Sequence, residues 1–323
     1  MKKLFISMLA VAALASCTND ETLSLNPGEA ISFGNAFIEN ATRADVAADP
    51  SYSTTTGKGV ALTAFDVYGA VNGVNIFNGN QVSKGDAAYN AAWTLTGPTQ
   101  YWIAGASYVF DAVVDATTVT TSIATGLPTS LNYVVSGQKD MLHARVSTTG
   151  KPNDTGVVAF TFSHLLSKVK FSVRNTTDVA ATNYRFNITD VKLTNVYASG
   201  DYAVPAGTWS NQTSADYVLE DLIVNSAATQ YHSKEVLLIP GSAIGVYIKA
   251  DIEAKADGTN WTKVSDVEKS FTAALGADKV LVANTAYNFV VELGIGEEIK
   301  FTATEMPSWI EPTASNGGNV TLN

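Results

Sequence analysis

The chain has a single cysteine, Cys17, in 323 residues, so it has no partner for an intrachain disulfide and must be stabilised by packing and hydrogen bonding. Histidine is also scarce: His143, His164 and His232 stand far apart, with no Cys or His at ligand spacing, which argues against a metal centre. Charged residues make up only 15% of the chain, with a net charge of −10. A surface of that sign repels phosphates and anionic lipid heads, so nucleic acid is not expected as a partner. The apolar run from Leu4 to Leu14 is far shorter than the roughly 20 residues that a membrane-spanning helix needs.

Catalytic signatures are missing as well. GSAIG at 241–245 has its serine one place too early for a nucleophile elbow and follows Pro240 directly. Glu220-Asp221 and Glu297-Glu298 are adjacent pairs, and neighbouring strand residues point to opposite faces, so neither makes an acid and base couple. ADGTNW resembles an aspartate-box turn in one copy only, and a hairpin explains it equally well. These residues indicate a protein that is not an enzyme and uses no cofactor.

What is abundant points to an all-β protein. Short runs rich in β-branched and aromatic residues alternate with Gly, Pro and Asn from Val60 onward: VALTAFDVYGAV, QYWIAG, SYVFDAVV, LNYVVSG, then VVAFTFSHLLSKVKFSV, EVLLIPG, IGVYIKADIEA and NTAYNFVVELG. In AYNFVVEL, Tyr287, Phe289 and Val291 share one face. Asp257-Gly258 between two such runs predicts a hairpin. No fixed-period repeat supports a solenoid. A boundary near Ser163 to Ser167 gives the first run of strands room to close a sandwich of about a hundred residues.

The two ends carry the other signals. MKKLFISMLAVAALASC is an export signal in form, and Leu14-Ala15-Ser16-Cys17 resembles a bacterial lipobox in which Cys17 is lipidated. Behind it, AISFGNAFIENATRA puts Ile31, Phe33 and Phe37 on one face, interrupted by Asn35, ahead of Arg43 and Ala44. Near the other end, IKFTATEM puts Ile299, Phe301 and Ala303 on one face, so the I-x-F pattern recurs. SNGGNVTLN alternates again at Val320 and Leu322, either as a second part of that strand or as a frayed tail. Trp93, Trp102, Trp209, Trp261 and Trp309 read as core residues or as a sugar platform.

Taken in order, ALASC, ISF with NATRA, Gln100-Tyr101-Trp102 with SYVFDAV, Lys139-Asp140-Met141-Leu142, FTFSHLLSKVKFSV, EVLLIPG, NTAYNFVVEL and IKFTATEMPSW resemble the fimbrillin family. That family comprises the pilin and pilin-accessory lipoproteins of type V pili in Bacteroidales. The resemblance implies two tandem transthyretin-like β-sandwich domains and export to the outer membrane through lipid on Cys17. It also implies trimming by an arginine-specific surface protease, for which Arg43-Ala44 is the matching position. In the family the cut removes a first strand, and a segment of another subunit fills the gap. The expected division is 1–17 signal and lipidated cysteine, 18–43 propeptide with the first strand (Ile31, Phe33, Phe37), 44–165 N-terminal sandwich, and 166–323 C-terminal sandwich. The donor residues are expected to be Ile299, Phe301, Ala303, Val320 and Leu322. The expected role is that of a fimbrial subunit at the cell surface supporting adhesion, with other fimbrillin subunits and a host or bacterial surface receptor as partners. The alternative is an uncleaved anchor or tip subunit, or a glycan-binding surface lipoprotein.

Overall fold

The structure is a computed structural model that describes residues 28–38, 62–85, 92–177, 183–222, 225–226, 231–256, 258–273, 275 and 280–306. Cys17, Arg43, Ala44, Trp309, Val320 and Leu322 lie outside the described residues.

The chain is all-β. Its first half runs through β1 (Ser32–Ile38), β2 (Ala64–Val71), β3 (Val74–Lys84), β4 (Trp93–Leu95), β5 (Ser107–Val114), β6 (Thr118–Thr121), β7 (Pro128–Val134), β8 (Leu142–Thr149) and β9 (Val157–His164). The second half holds β10 (Ser167–Asn175), β11 (Tyr184–Ala203), β12 (Thr208–Val218), β13 (Asn225–Ser226), β14 (Tyr231–Leu238), β15 (Gly245–Ala254), β16 (Thr262–Thr272), β17 (Ala286–Leu293) and β18 (Lys300–Met306). Among the described residues the only helical pieces are single 3-10 turns at 135–137 and 220–222.

Local chemistry explains many of these boundaries. Asn72 and Gly73 both take positive φ, 48° and 78°, and join β2 to β3 across the Val71–Val74 pair. Asn-Gly is the pair that a two-residue hairpin with that twist prefers. β15 pairs antiparallel with β16 around Gly258, whose φ is 73°, while Asp257 lies outside the described residues. In β17, Tyr287, Phe289 and Val291 are buried, whereas Asn288, Val290 and Glu292 are half-buried, the alternation the sequence predicts.

One seven-stranded sheet, in the order β1-β9-β8-β5-β2-β3-β4, makes the first module. It curls until its ends approach: a Cβ placed on Gly34 of β1 would lie 3.8 Å from Cδ1 of Trp93 in β4. The interior is aromatic. Phe65 meets Phe160 and Phe162 at 5.4 and 5.5 Å, and Phe77 lies 6.3 Å from Phe110, all five rings being buried. Edge-to-face and tilted ring pairs add attraction beyond the area they bury.

Two sheets make the second module, β14-β10-β17-β18 and β16-β15-β11-β7-β6, with β12 and β13 also pairing with β11. Val169, Phe171 and Phe289 from the first of these share a core with Ile188, Leu193 and Ile248 from the second. The hairpin β6–β7 precedes residue 165 in the chain, yet it belongs to this second module: β7 pairs with β11 from Ser130 to Val134. Leu131 and Tyr133 of β7, with Val135 just beyond it, bury their side chains in the second core, and that burial decides their sheet. Between β9 and β10 only Leu165 and Leu166 intervene, and both are buried. The two modules therefore meet through packed chain and an exchanged hairpin, with no flexible linker at that crossing.

Gly69 in β2 shows how tightly the first core is filled. A Cβ there would lie 2.8 Å from Cδ2 of Phe77 and 2.9 Å from Cδ1 of Phe110. Gly69→Ala is expected to destabilise the protein by about 1–3 kcal/mol through overpacking. Urea denaturation checks this, with a lower midpoint and an unchanged slope expected.

Candidate assembly site

The segment from Glu29 to Ile38 lies along the rim of the first sheet. β1 pairs in parallel with β9, from Ser32 opposite Val157 to Ile38 opposite Phe162. Among the described residues its opposite edge is held at the entry, where the Ile31 amide donates to the Gln100 carbonyl at 2.8 Å and the Trp102 amide donates to the Glu29 carbonyl at 3.0 Å. Leaving the sheet therefore breaks one full ladder and a short bridge, less than a central strand would lose.

Side chains hold the segment more firmly than its backbone does. Ile31 and Phe33 are buried, and Phe33 lies 5.5, 5.7 and 5.9 Å from the rings of Phe77, Phe110 and Phe160. The alternation then slips: the register shifts between Gly34 and Phe37, and Gly34 and Ala36 are both buried. A bulge of this kind reassigns the faces of every residue after it. Phe37 pairs through its backbone with Thr161. At the entry, Lys151 Nζ reaches Glu29 Oε2 at 2.6 Å, an exposed ion pair of small energetic weight. Trp102 Nε1 donates to the Gly156 carbonyl at 3.1 Å, and Gly156, at φ 66°, leaves room that a Cβ would take from Glu29. Two buried anchors at about 1.5–3 kcal/mol each, with several ladder hydrogen bonds at about 1 kcal/mol each, give a gross gain on the order of 10 kcal/mol before ordering costs.

β18 occupies a comparable position in the second module. It pairs antiparallel with β17, from Lys300 opposite Glu292 to Met306 opposite Ala286, and forms the outer strand of its sheet. Ile299 is buried, and Phe301 and Ala303 pack against the core, with Phe301 5.4 Å from Phe271 and 5.7 Å from Phe289. Lys300, Thr302 and Thr304 face outward. In each segment a buried isoleucine just ahead of an outer strand is followed two residues on by a phenylalanine that packs among aromatic rings.

The other residues singled out by the sequence have packing roles. Trp102 is buried against Tyr108, Trp93 packs on Phe65 and under the Lys84 ammonium, Trp209 packs on Tyr202, and Trp261 is covered by the Arg185 guanidinium at 4.6 Å. Among the described residues no three His, Cys, Asp or Glu side chains gather as metal ligands. His164 bonds Asp140 through Nδ1 at 2.9 Å. His143 contributes to a cluster that sequence reading misses: Asp111 on β5 is completely buried, takes two hydrogen bonds of 2.8 Å from Arg145 on β8, and lies 2.8 Å from His143 Nε2. Burial pushes the Asp111 carboxyl up, but the bonds and charges from His143 and Arg145 outweigh this and hold it below the ordinary value of 3.8. Only cross-strand register brings these residues together, because Asp111 stands opposite Arg145 while 34 residues separate them in sequence.

A family model described as fimbrillin-like matches residues 42–309. No curated protein matches the chain. Among solved structures, a fimbrial protein from Bacteroides vulgatus is 16% identical, covers 88% of this chain and 99% of its own, and superposes with a TM-score of 0.55. The fimbrial anchor protein Mfa2 from Porphyromonas gingivalis is 13% identical, with 85% and 96% covered and a TM-score of 0.41. At these identities the likeness to the Bacteroides vulgatus structure speaks for the fold alone.

Phe33→Ala in the full chain removes a ring from the aromatic cluster and is expected to cost about 3–5 kcal/mol, measured by urea denaturation. Asp111 contributes stability that is complete above pH 3.8 and disappears as pH falls through its lower folded-state value. Asp111→Asn is expected to lower stability at pH 7 by about 3 kcal/mol and to flatten the loss as pH falls below 3.8, as read from denaturation midpoints over an acid series.

Proposed function

This chain belongs to the fimbrillin-like family, and from that premise we propose that it is a structural subunit of cell-surface fimbriae, assembled by exchange of an edge strand after proteolytic trimming. The observation that carries this reading is β1, an edge strand whose Phe33 packs among the rings of Phe77, Phe110 and Phe160. Lipid on Cys17 holds the exported precursor at the outer membrane, and each buried methylene contributes about 0.8 kcal/mol, so a multiply acylated chain does not leave by dissociation. A cut between Arg43 and Ala44 by an arginine-specific surface protease releases the domain from that anchor. Arg43 follows the end of β1 at Ile38 by five residues, so the same cut frees the strand carrying Ile31, Phe33 and Phe37.

The emptied groove offers both an unpaired backbone edge and apolar pockets, the two features that β-augmentation uses. The donor is the C-terminal stretch of another subunit, with Ile299 and Phe301 as anchors, Ala303 beside them, and Val320 and Leu322 further along. β18 can be released because it is an outer strand with one ladder, to β17. A head-to-tail contact of this kind does not close on itself, so it grows a filament. Partners in this reading are other fimbrillin subunits, the processing protease, the membrane before the cut, and a host or bacterial surface receptor met by the finished fimbria.

N-terminal sequencing of polymer sheared from the cell surface is expected to give Ala44 as the first residue, and a polymer that begins at Cys17 would refute the trimming step. Arg43→Ala is expected to leave unpolymerised lipoprotein in the membrane fraction, at least about tenfold depleted from the sheared polymer.

A further inference from the structure

The sequence holds only four arginines, Arg43, Arg145, Arg174 and Arg185. The last three share an arrangement. Each lies inside a strand with its backbone in a ladder: Arg145 opposite Asp111 in β8, Arg174 between Tyr231 and Glu292 in β10, and Arg185 opposite Glu253 in β11. Each guanidinium also meets a carboxylate from the neighbouring strand. Arg145 makes a two-pronged contact with Asp111 at 2.8 Å, Arg174 reaches Glu292 at 3.2 Å, and Arg185 reaches Glu253 at 2.6 Å through both Nε and Nη2. The residue after each arginine is covered too: Asn175 and Phe186 are buried and Val146 is half-buried. Several lysines share this setting: Lys168, Lys192, Lys249 and Lys263 also lie in strands and meet carboxylates. Lys139 instead sits outside any strand with two-thirds of its side chain exposed, its ammonium 3.5 Å from Asp115.

We propose that the ladder setting of Arg145, Arg174 and Arg185 limits an arginine-selecting endoprotease to one cut in the folded precursor. The inference rests on the trimming at Arg43 proposed above. Such an enzyme binds its substrate as an extended strand and reads the guanidinium with a carboxylate of its own. At Arg145, Arg174 and Arg185 both recognition elements are already taken, the backbone by a sheet neighbour and the guanidinium by an internal carboxylate. Cleavage there requires the ladder to open, so its rate follows the population of opened molecules. Around Lys139 the described backbone lies outside any strand, so no ladder has to open there, although the Lys139 carbonyl accepts from the Tyr133 hydroxyl at 2.7 Å.

The test uses the full chain and a purified endoprotease that cuts after arginine, with products mapped by mass spectrometry. Native wild-type protein is expected to yield one cut, after Arg43, with the fragment beginning at Ala44 persisting. Lys139→Arg, which keeps the charge and the loop, is expected to add a second cut after position 139, at least about a thousandfold faster than cleavage after Arg145, Arg174 or Arg185, in line with the usual scarcity of opened molecules. In urea above the unfolding midpoint, all three ladder arginines are expected to be cut. Native cleavage at any of the three at a rate within tenfold of position 139 would overturn the proposal. So would a Lys139→Arg protein that stays uncut at that loop, since resistance would then not come from the strand setting. If Arg43 alone resists while the other results hold, the trimming reading fails and the protection of the three ladder arginines stands.

Discussion

The first module depends on one ring. Phe33 reaches it from an outer strand and closes a cluster in which Phe77, Phe110 and Phe160 each lie within 6 Å of it. A curled sheet of seven strands encloses its apolar interior only if its two ends are brought together, and β1 is one of those ends. The strand is thus weakly held through its backbone and strongly held through its side chains. That combination suits a segment that must complete a fold and can later be substituted, because a replacement needs only matching anchors at two-residue spacing.

The second module resolves the same problem with two sheets over one core, and β18 is its outer strand. The modules are tied by more than chain connectivity. The β6–β7 hairpin leaves the first half of the sequence so that β7 pairs with β11, and Gln138 bridges back to Leu237, donating to its carbonyl at 3.1 Å and accepting from its amide at 2.9 Å. Force passed between the two modules would therefore cross buried side chains and paired backbone. A joint of this kind resists separation because opening it exposes apolar surface and unsatisfied polar groups at once.

Much of the strand content was legible from residues alone. Alternation in AYNFVVEL reappears in β17, and the turn at Gly258 joins β15 to β16, because side-chain period and turn chemistry are local properties. The Asn72-Gly73 hairpin carried an equally good local signal. The slip inside β1 had no such signal, since a bulge between Gly34 and Phe37 is set by the partner strand and moves the buried position to Ala36. The Asp111, His143 and Arg145 cluster was equally hidden, because its members meet only through cross-strand register.

By itself the sequence determined the all-β class, the family and the two segments that carry an isoleucine and a phenylalanine two residues apart, because composition, period and motif order are written in neighbouring residues. Tertiary structure alone decided that both segments are outer strands, that the hairpin of β6 and β7 serves the second module, and that Arg145, Arg174 and Arg185 each face a carboxylate in a ladder. Each of those outcomes depends on which strand lies beside which. That is settled by the competition among distant apolar faces for the same buried space, and no stretch of neighbouring residues contains it.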